Sequence, residues 1–227
     1  MASRFFKVLS ALFDPQETDD LAAYRRHILA EYKTKRPIYE EFGIAVQRLV
    51  DLFLKESGYK YQLMYRTKTP ERLREKLIRK SGQGVKYERL GDVEDLVGLR
   101  VVFYSESDKD RFINDLKKEI SGAIRIEERR GKTGYKATHL VVAFGPKRLR
   151  LSEYKHFEGL KSEIQVTTML RHSWAEIEHD LIYKDINGLR EKDPQKFVIL
   201  KEKLEGIMEK YIKQASLEFE EVMEEIS

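Results

Sequence analysis

Two carboxylates and a run of cations are the residues of this sequence best placed to do chemistry. Asp95 stands immediately before the apolar run Leu96–Tyr104, and Glu163 sits inside the short run Ser162-Glu163-Ile164-Gln165-Val166. A carboxylate at the mouth of a rigid apolar strand is well placed to hold Mg²⁺ beside a cleft; a strand-capping Asp reads the same way. Glu163 shares its short strand with the apolar Ile164 and Val166, an expense for structure alone, which makes it a candidate second metal ligand or general base. Lys68, Arg72, Lys76 and Arg79 follow at spacings of four, four and three, with Arg66 just ahead. On a helix 72, 76 and 79 share a face. Cations converging near a helix N-terminus cradle polyphosphate, although a solvated basic face has the same spacing. Arg100, inside the apolar run, must meet a partner or stack on a ring. Tyr135 leaves a glycine turn, where its ring can stack on a base, and His139 shares its strand parity; a core histidine is the plainer reading of His139 alone.

Other chemistries fit less well. There is no Gly-rich P-loop, no Gly-x-Gly-x-x-Gly and no Gly-x-Ser-x-Gly. His179-Asp180 lacks the further histidines of a hydrolytic metal site. Two carboxylates on separate strands beside a basic cradle match metal-assisted phosphoryl chemistry.

Composition sets the bounds. The 227 residues carry 43 Lys and Arg against 39 Asp and Glu, a net charge of +4. The cations crowd 66–89 and 125–150 while acids dominate 202–225, which suits a nucleotide-like polyanion. The absence of cysteine excludes disulfides and thiolate metal sites. No apolar run is long enough to span a membrane. The segment Met1–Phe13 is too broken for a secretory signal and reads as a packed or frayed terminus, so a cytoplasmic protein is expected.

The elements that must position these residues follow from periodicity. A helix starts near Asp19 and Pro37 interrupts it; a second one runs to Ser57-Gly58 with Phe42, Val46, Leu49 and Phe53 on one face. Strands are predicted at 59–65, 96–104, 124–128, 135–144 and 162–166. Helices are predicted after Pro70, over 107–120 and over 167–184, the last with Leu170, Trp174, Ile177 and Leu181 as its core stripe. An irregular basic connection is expected over 145–161. Beyond residue 188 comes one long amphipathic helix or two. The fold class is α+β: a mixed sheet of about five strands surrounded by helices, with helical N- and C-terminal extensions.

Taken in order, these stretches resemble the synthetase domain of RelA/SpoT-type alarmone synthetases, the small single-domain kind, with its toxin branch included. Arg66-Thr-Lys68-Thr-Pro-Glu-Arg-Leu-Arg-Glu-Lys76-Leu-Ile-Arg79 is similar to the family's ATP-phosphate segment. Asp95-Leu-Val-Gly98-Leu-Arg100 resembles the strand with the metal-binding Asp and the Arg that stacks on adenine. Gly134-Tyr135-Lys136-Ala-Thr-His139 resembles the acceptor loop, and Glu163-Ile-Gln165-Val-x-Thr168 with His172-x-Trp174-Ala-Glu-Ile-Glu178-His179 the last motif. The resemblance implies a nucleotidyltransferase-like sheet and three regions: an N-terminal helical extension over 1–58, the catalytic domain over 59–188, and a C-terminal helical extension over 189–227. It implies a pyrophosphokinase that moves the β,γ-pyrophosphate of ATP to the 3′-hydroxyl of GDP or GTP, making (p)ppGpp.

In that reading Mg²⁺ sits on Asp95 and Glu163. Arg66, Lys68, Lys76, Arg79 and Arg100 hold ATP; Tyr135, Lys132, Lys136, His139 and Gln165 face the acceptor. Two departures bear on the acceptor: Arg72 stands where the family often has Ser, and Thr167 where it usually has Arg. Arg171 and Arg148 are the cations that would have to stand in for the latter. Two alternatives stay open. One is a toxin-type relative that modifies the tRNA 3′ end or makes adenosine alarmones, with Lys147, Arg148, Arg150 and Lys155 against the tRNA backbone. The other is an inactive partner-binding module. The terminal helices would serve a second copy of the chain or an antitoxin partner.

Overall fold

The computed structural model describes residues 19–119, 124–130, 136–183, 185 and 188–226, with the backbone alone at 19–20, 119, 124–130, 136–137 and 183. Its centre is a sheet of five strands in the order β1-β2-β5-β4-β3. These are β1 (Tyr61–Thr67), β2 (Val97–Phe103), β3 (Ile124–Arg130), β4 (Lys136–Val142) and β5 (Ser162–Thr168). Only β2 and β5 pair in parallel; the other neighbours are antiparallel. The mixed α+β class expected from the sequence is what the structure contains. Strand position explains strand composition. Edge strand β1 alternates half-buried and exposed residues, whereas β2 and β5 are buried on both parities for most of their length.

One sheet face carries the core. Val97, Leu99, Val101 and Phe103 of β2 and Ile164 and Val166 of β5 pack under α1 (Asp19–Glu56), which supplies Ile28, Tyr32, Tyr39, Phe42, Val46, Val50 and Leu54 to the same cluster. The sequence predicts a break at Pro37, but α1 runs through it unbroken. Proline removes one N–H and crowds the preceding turn. Burial of Tyr32 below it and Tyr39 above, with ring centroids 5.7 Å apart, holds the axis on both sides. Gly43 lets helix and sheet approach: a Cβ there would lie 2.7 Å from the Tyr65 ring.

Helices flank the other face and the ends. Helix α2 (Pro70–Ser81) starts where Thr69 Oγ1 accepts from the Arg72 N–H and proline fills the first helical position. Helix α3 is Glu106–Glu119. The connection expected to be irregular holds two single turns, α4 (Pro146–Leu149) and α5 (Ser152–Lys155). Helix α6 (Met169–Glu178) continues into a π-turn, His179–Tyr183. That turn changes which residues face inward. Trp174 and Ile182 are buried, whereas Ile177 and Leu181 of the expected stripe are half exposed. The wider π spacing keeps the inward line at steps of four, 174-178-182. The C-terminal part comprises α7 (Leu189–Lys192), α8 (Pro194–Ile207), a π-turn (Met208–Ile212) and α9 (Lys213–Ile226). It is tied to α6 by the Trp174 indole N–H, which donates to the Leu204 carbonyl at 3.0 Å. Among the described residues, no helix is long and apolar enough to cross a membrane.

Candidate active site

Register places the chemistry on the sheet face opposite α1. Arg66, Gly98 and Glu163 stand in one row across β1, β2 and β5. Met64, Arg100, Gln165 and His139 stand in the next row, across β1, β2, β5 and β4. The cleft between them has a volume of about 220 Å³, and Asp95, Arg66, Gly98, Arg100, Glu163 and Gln165 are among its lining residues. Gly98 makes the floor low. A Cβ there would find nothing nearer than 4.0 Å, so the missing side chain is space in the cleft and not a packing need.

At one end, Asp95 meets two lysines. Lys76 Nζ of α2 donates to Oδ1 at 2.6 Å and Lys68 Nζ lies 3.2 Å from Oδ2. The connection ahead of α2 is fixed so that Lys68 arrives there: its N–H donates to the Leu96 carbonyl at 2.8 Å, and the Tyr32 hydroxyl donates to its carbonyl. Burial alone would raise the Asp95 pKa; the two ammonium groups overcome it and hold the carboxyl below the ordinary aspartate range. Burial lowers Lys68 despite its pairing with Asp95.

Glu163 lies in the sheet, only 5% exposed. Gln165 Nε2 donates to its Oε1 at 3.0 Å, and His139 Nδ1 stands 3.1 Å from Oε2, close enough for charge attraction but off the line of a hydrogen bond. Burial pushes this carboxyl up, and His139 with Gln165 brings it net below the usual glutamate value. The same Gln165 faces the other way too. Its Oε1 accepts from Arg100 Nε at 3.3 Å and from Nη2 at 3.2 Å. Arg100 Nη1 donates to Glu176 Oε1 of α6 at 2.6 Å and lies 3.4 Å from His172 Nδ1.

The cleft thus brings together Asp95, Glu163, Arg66, Arg100 and Gln165, with Lys68 and Lys76 paired to Asp95 and His139 beside Glu163. Arg79 is exposed one turn further along α2. Tyr135 and Lys132 lie outside the described residues, and of Lys136 only the backbone, in β4, is described. Glu176 is the residue that the motif reading left without a role. An Arg inside an apolar strand signalled that some acceptor must exist, but nothing in the sequence says that it comes from a helix 76 residues away. Thr167 is buried on the same sheet face as Glu163 and Gln165. Neither cation proposed to replace the family arginine reaches that place. Arg171 Nε donates to Glu106 Oε1 at 2.5 Å, beyond the far end of β2, and Arg148 lies over the Phe144 and Tyr154 rings.

A profile of the region found in RelA / SpoT proteins matches residues 65–188, more than half of the chain and every lining residue of this cleft named above except Met64. The chain belongs to the RelA/SpoT family. It is 28% identical over 123 residues to the GTP pyrophosphokinase YwaC of Bacillus subtilis (strain 168); the match spans 52% of this chain and 56% of that protein, little more than half its length. The small alarmone synthetase 2 of Bacillus subtilis shares the fold, with a TM-score of 0.64 at 22% identity over 86% of this chain and 99% of that one. The small alarmone synthetase 1 of the same organism, bound to its product pppGpp, gives a TM-score of 0.60 at 19% identity, covering 87% and 96%.

Proposed function

We propose that the protein is an ATP-dependent pyrophosphokinase acting on GDP or GTP. The observation that carries this reading is the placement of two ionised carboxylates, Asp95 and Glu163, on one cleft, with two lysines at the first. The relative named a GTP pyrophosphokinase and the fold neighbour that holds pppGpp support it.

The residues present fit Mg²⁺ that arrives with its substrate. Mg²⁺ takes one or two carboxylates together with substrate phosphates and water. Asp95 and Glu163 are hard oxygen donors on one cleft, and among the described residues no group of three His, Cys, Asp or Glu forms a complete protein cage. When bound, the ion neutralises charge developing on the phosphates. The chain's own residues do the rest. Lys68, Lys76 and Arg66 hold the triphosphate in line. Glu163, kept ionised by His139 and Gln165, accepts the hydrogen bond of the acceptor 3′-hydroxyl and takes its proton. As the 3′-oxygen bonds to the β-phosphorus, the bond from that phosphorus to the α–β bridging oxygen breaks and AMP leaves.

The test is transfer of label from γ-labelled ATP in Mg²⁺ to GDP, GTP, adenine nucleotides or tRNA, each offered separately. Label on GDP or GTP is the expected result. Label on adenine nucleotides or tRNA alone would reassign the acceptor, and ATP binding without any transfer would overturn the enzyme reading.

A further inference from the structure

Arg100 offers a ligand less than an arginine in a cleft ordinarily does. All three of its guanidinium nitrogens already have partners: Nε and Nη2 on Gln165, Nη1 on Glu176 with His172 alongside. These bonds lie in the guanidinium plane, the plane through which an arginine grips phosphate bidentately. What remains is the flat face, which stacks on rings. Directly opposite in register on β1 stands Met64, 41% exposed and also lining the cleft. A thioether beside a guanidinium face is a wall suited to an aromatic ring. Burial and the nearby Arg100 charge both lower the His172 pKa, so its ring is neutral at neutral pH and does not repel the guanidinium.

We propose that Glu176 is a positioning residue: by holding Nη1 it keeps Arg100 off phosphate and its face free for the base stacking that the family resemblance implies, so that the cleft selects a base-bearing triphosphate over bare polyphosphate. The proposal rests on the reading of the cleft as a nucleotide triphosphate site. It assigns no phosphate to Arg100 and leaves that work to Arg66, Lys68 and Lys76. Glu176 acts through Arg100 and not on the substrate. Its side chain is 55% exposed, so truncation leaves no cavity in the core.

Calorimetric binding of α,β-methylene ATP and of tripolyphosphate, both with Mg²⁺, tests this on wild type, Glu176→Ala and Glu176→Gln. Freed of its acceptor, Nη1 can turn towards phosphate. The wild-type preference for the nucleotide should therefore shrink about three- to tenfold in Glu176→Ala, the range of a partly exposed charged hydrogen bond. Glu176→Gln keeps an acceptor and should return the preference to within about twofold of wild type. An unchanged preference in Glu176→Ala, with a native melting curve, overturns the proposal, as does failure of Glu176→Gln to restore it. Because binding is read without turnover, a wild type that shows the preference but transfers no label would overturn the reaction and leave the stacking site standing. A wild type that binds neither probe would overturn both.

Discussion

Strand β2 has a partly buried carboxylate beyond each end, and the two are built alike. Asp95 precedes the strand and holds Lys68 and Lys76; Glu106 follows it and holds Lys109 and Arg171, each at 2.5 Å. In both, burial pushes the pKa up and the paired cations bring it below the ordinary range. The surroundings differ. Glu106 opens helix α3, where the helix dipole favours an anion; Lys109 is one turn on, and the Thr168 hydroxyl donates to Glu106 Oε1 at 3.0 Å. Asp95 takes its lysines from α2 and the segment before it, and its carboxyl borders the cleft above Gly98. Charge pairing alone therefore does not mark a reactive carboxylate. What sets Asp95 apart from Glu106 is that it lines a cleft shared with a second carboxylate, Glu163.

Three substitutions and one pH series would sharpen or break that contrast. The largest effect belongs to Asp95→Asn, which should lower the transfer rate by about two orders of magnitude or more in protein whose circular dichroism stays native. Full activity in that variant would sink the site. Gly98→Val puts methyl groups on the cleft floor, where a Cβ has only 4.0 Å neighbours. It should raise KM for ATP roughly tenfold, the scale of about 1.4 kcal/mol, with an unchanged melting temperature; the reverse pattern would make Gly98 a packing residue. Glu106→Gln should show the opposite phenotype, a loss of about 1–3 kcal/mol in urea unfolding and a normal rate per folded molecule. If its rate collapsed instead, the two ends of β2 would not be functionally distinct.

The smallest effect is on acid stability. A carboxyl whose folded pKa is depressed adds stability above its unfolded pKa, and that stability is lost as pH falls through the folded value. Wild type should therefore lose stability below about pH 4.5. Glu106→Gln should show a shallower slope over that acid range, and identical slopes would remove Glu106 from the account.

Local features were the legible ones. An apolar run on both parities marks β2 as a central strand, and an acid on a short strand with Ile164 and Val166 singles out Glu163. Pro70 marks the start of α2. What the sequence did not disclose depends on distant contacts. Pro37 is carried by the burial of Tyr32 and Tyr39, which local propensity cannot register. The Arg100–Glu176 and Arg171–Glu106 pairs span 76 and 65 residues and have no periodic signature. Arg171, near Thr167 in sequence, is committed instead to Glu106. The resemblance puts Gln165 at the acceptor, and the structure bonds it between Arg100 and Glu163.

The chain has twelve tyrosines but a single tryptophan, Trp174. It is 3% exposed, its indole is bonded to Leu204, and it lies on the same helix as His172 and Glu176. Excitation at the red edge of protein absorption therefore interrogates one spot, the seam between the helix that steadies Arg100 and the C-terminal helices. A shift in its emission on adding nucleotide would report movement at that seam without any label, and a steady emission would say that the seam stays closed while the cleft fills.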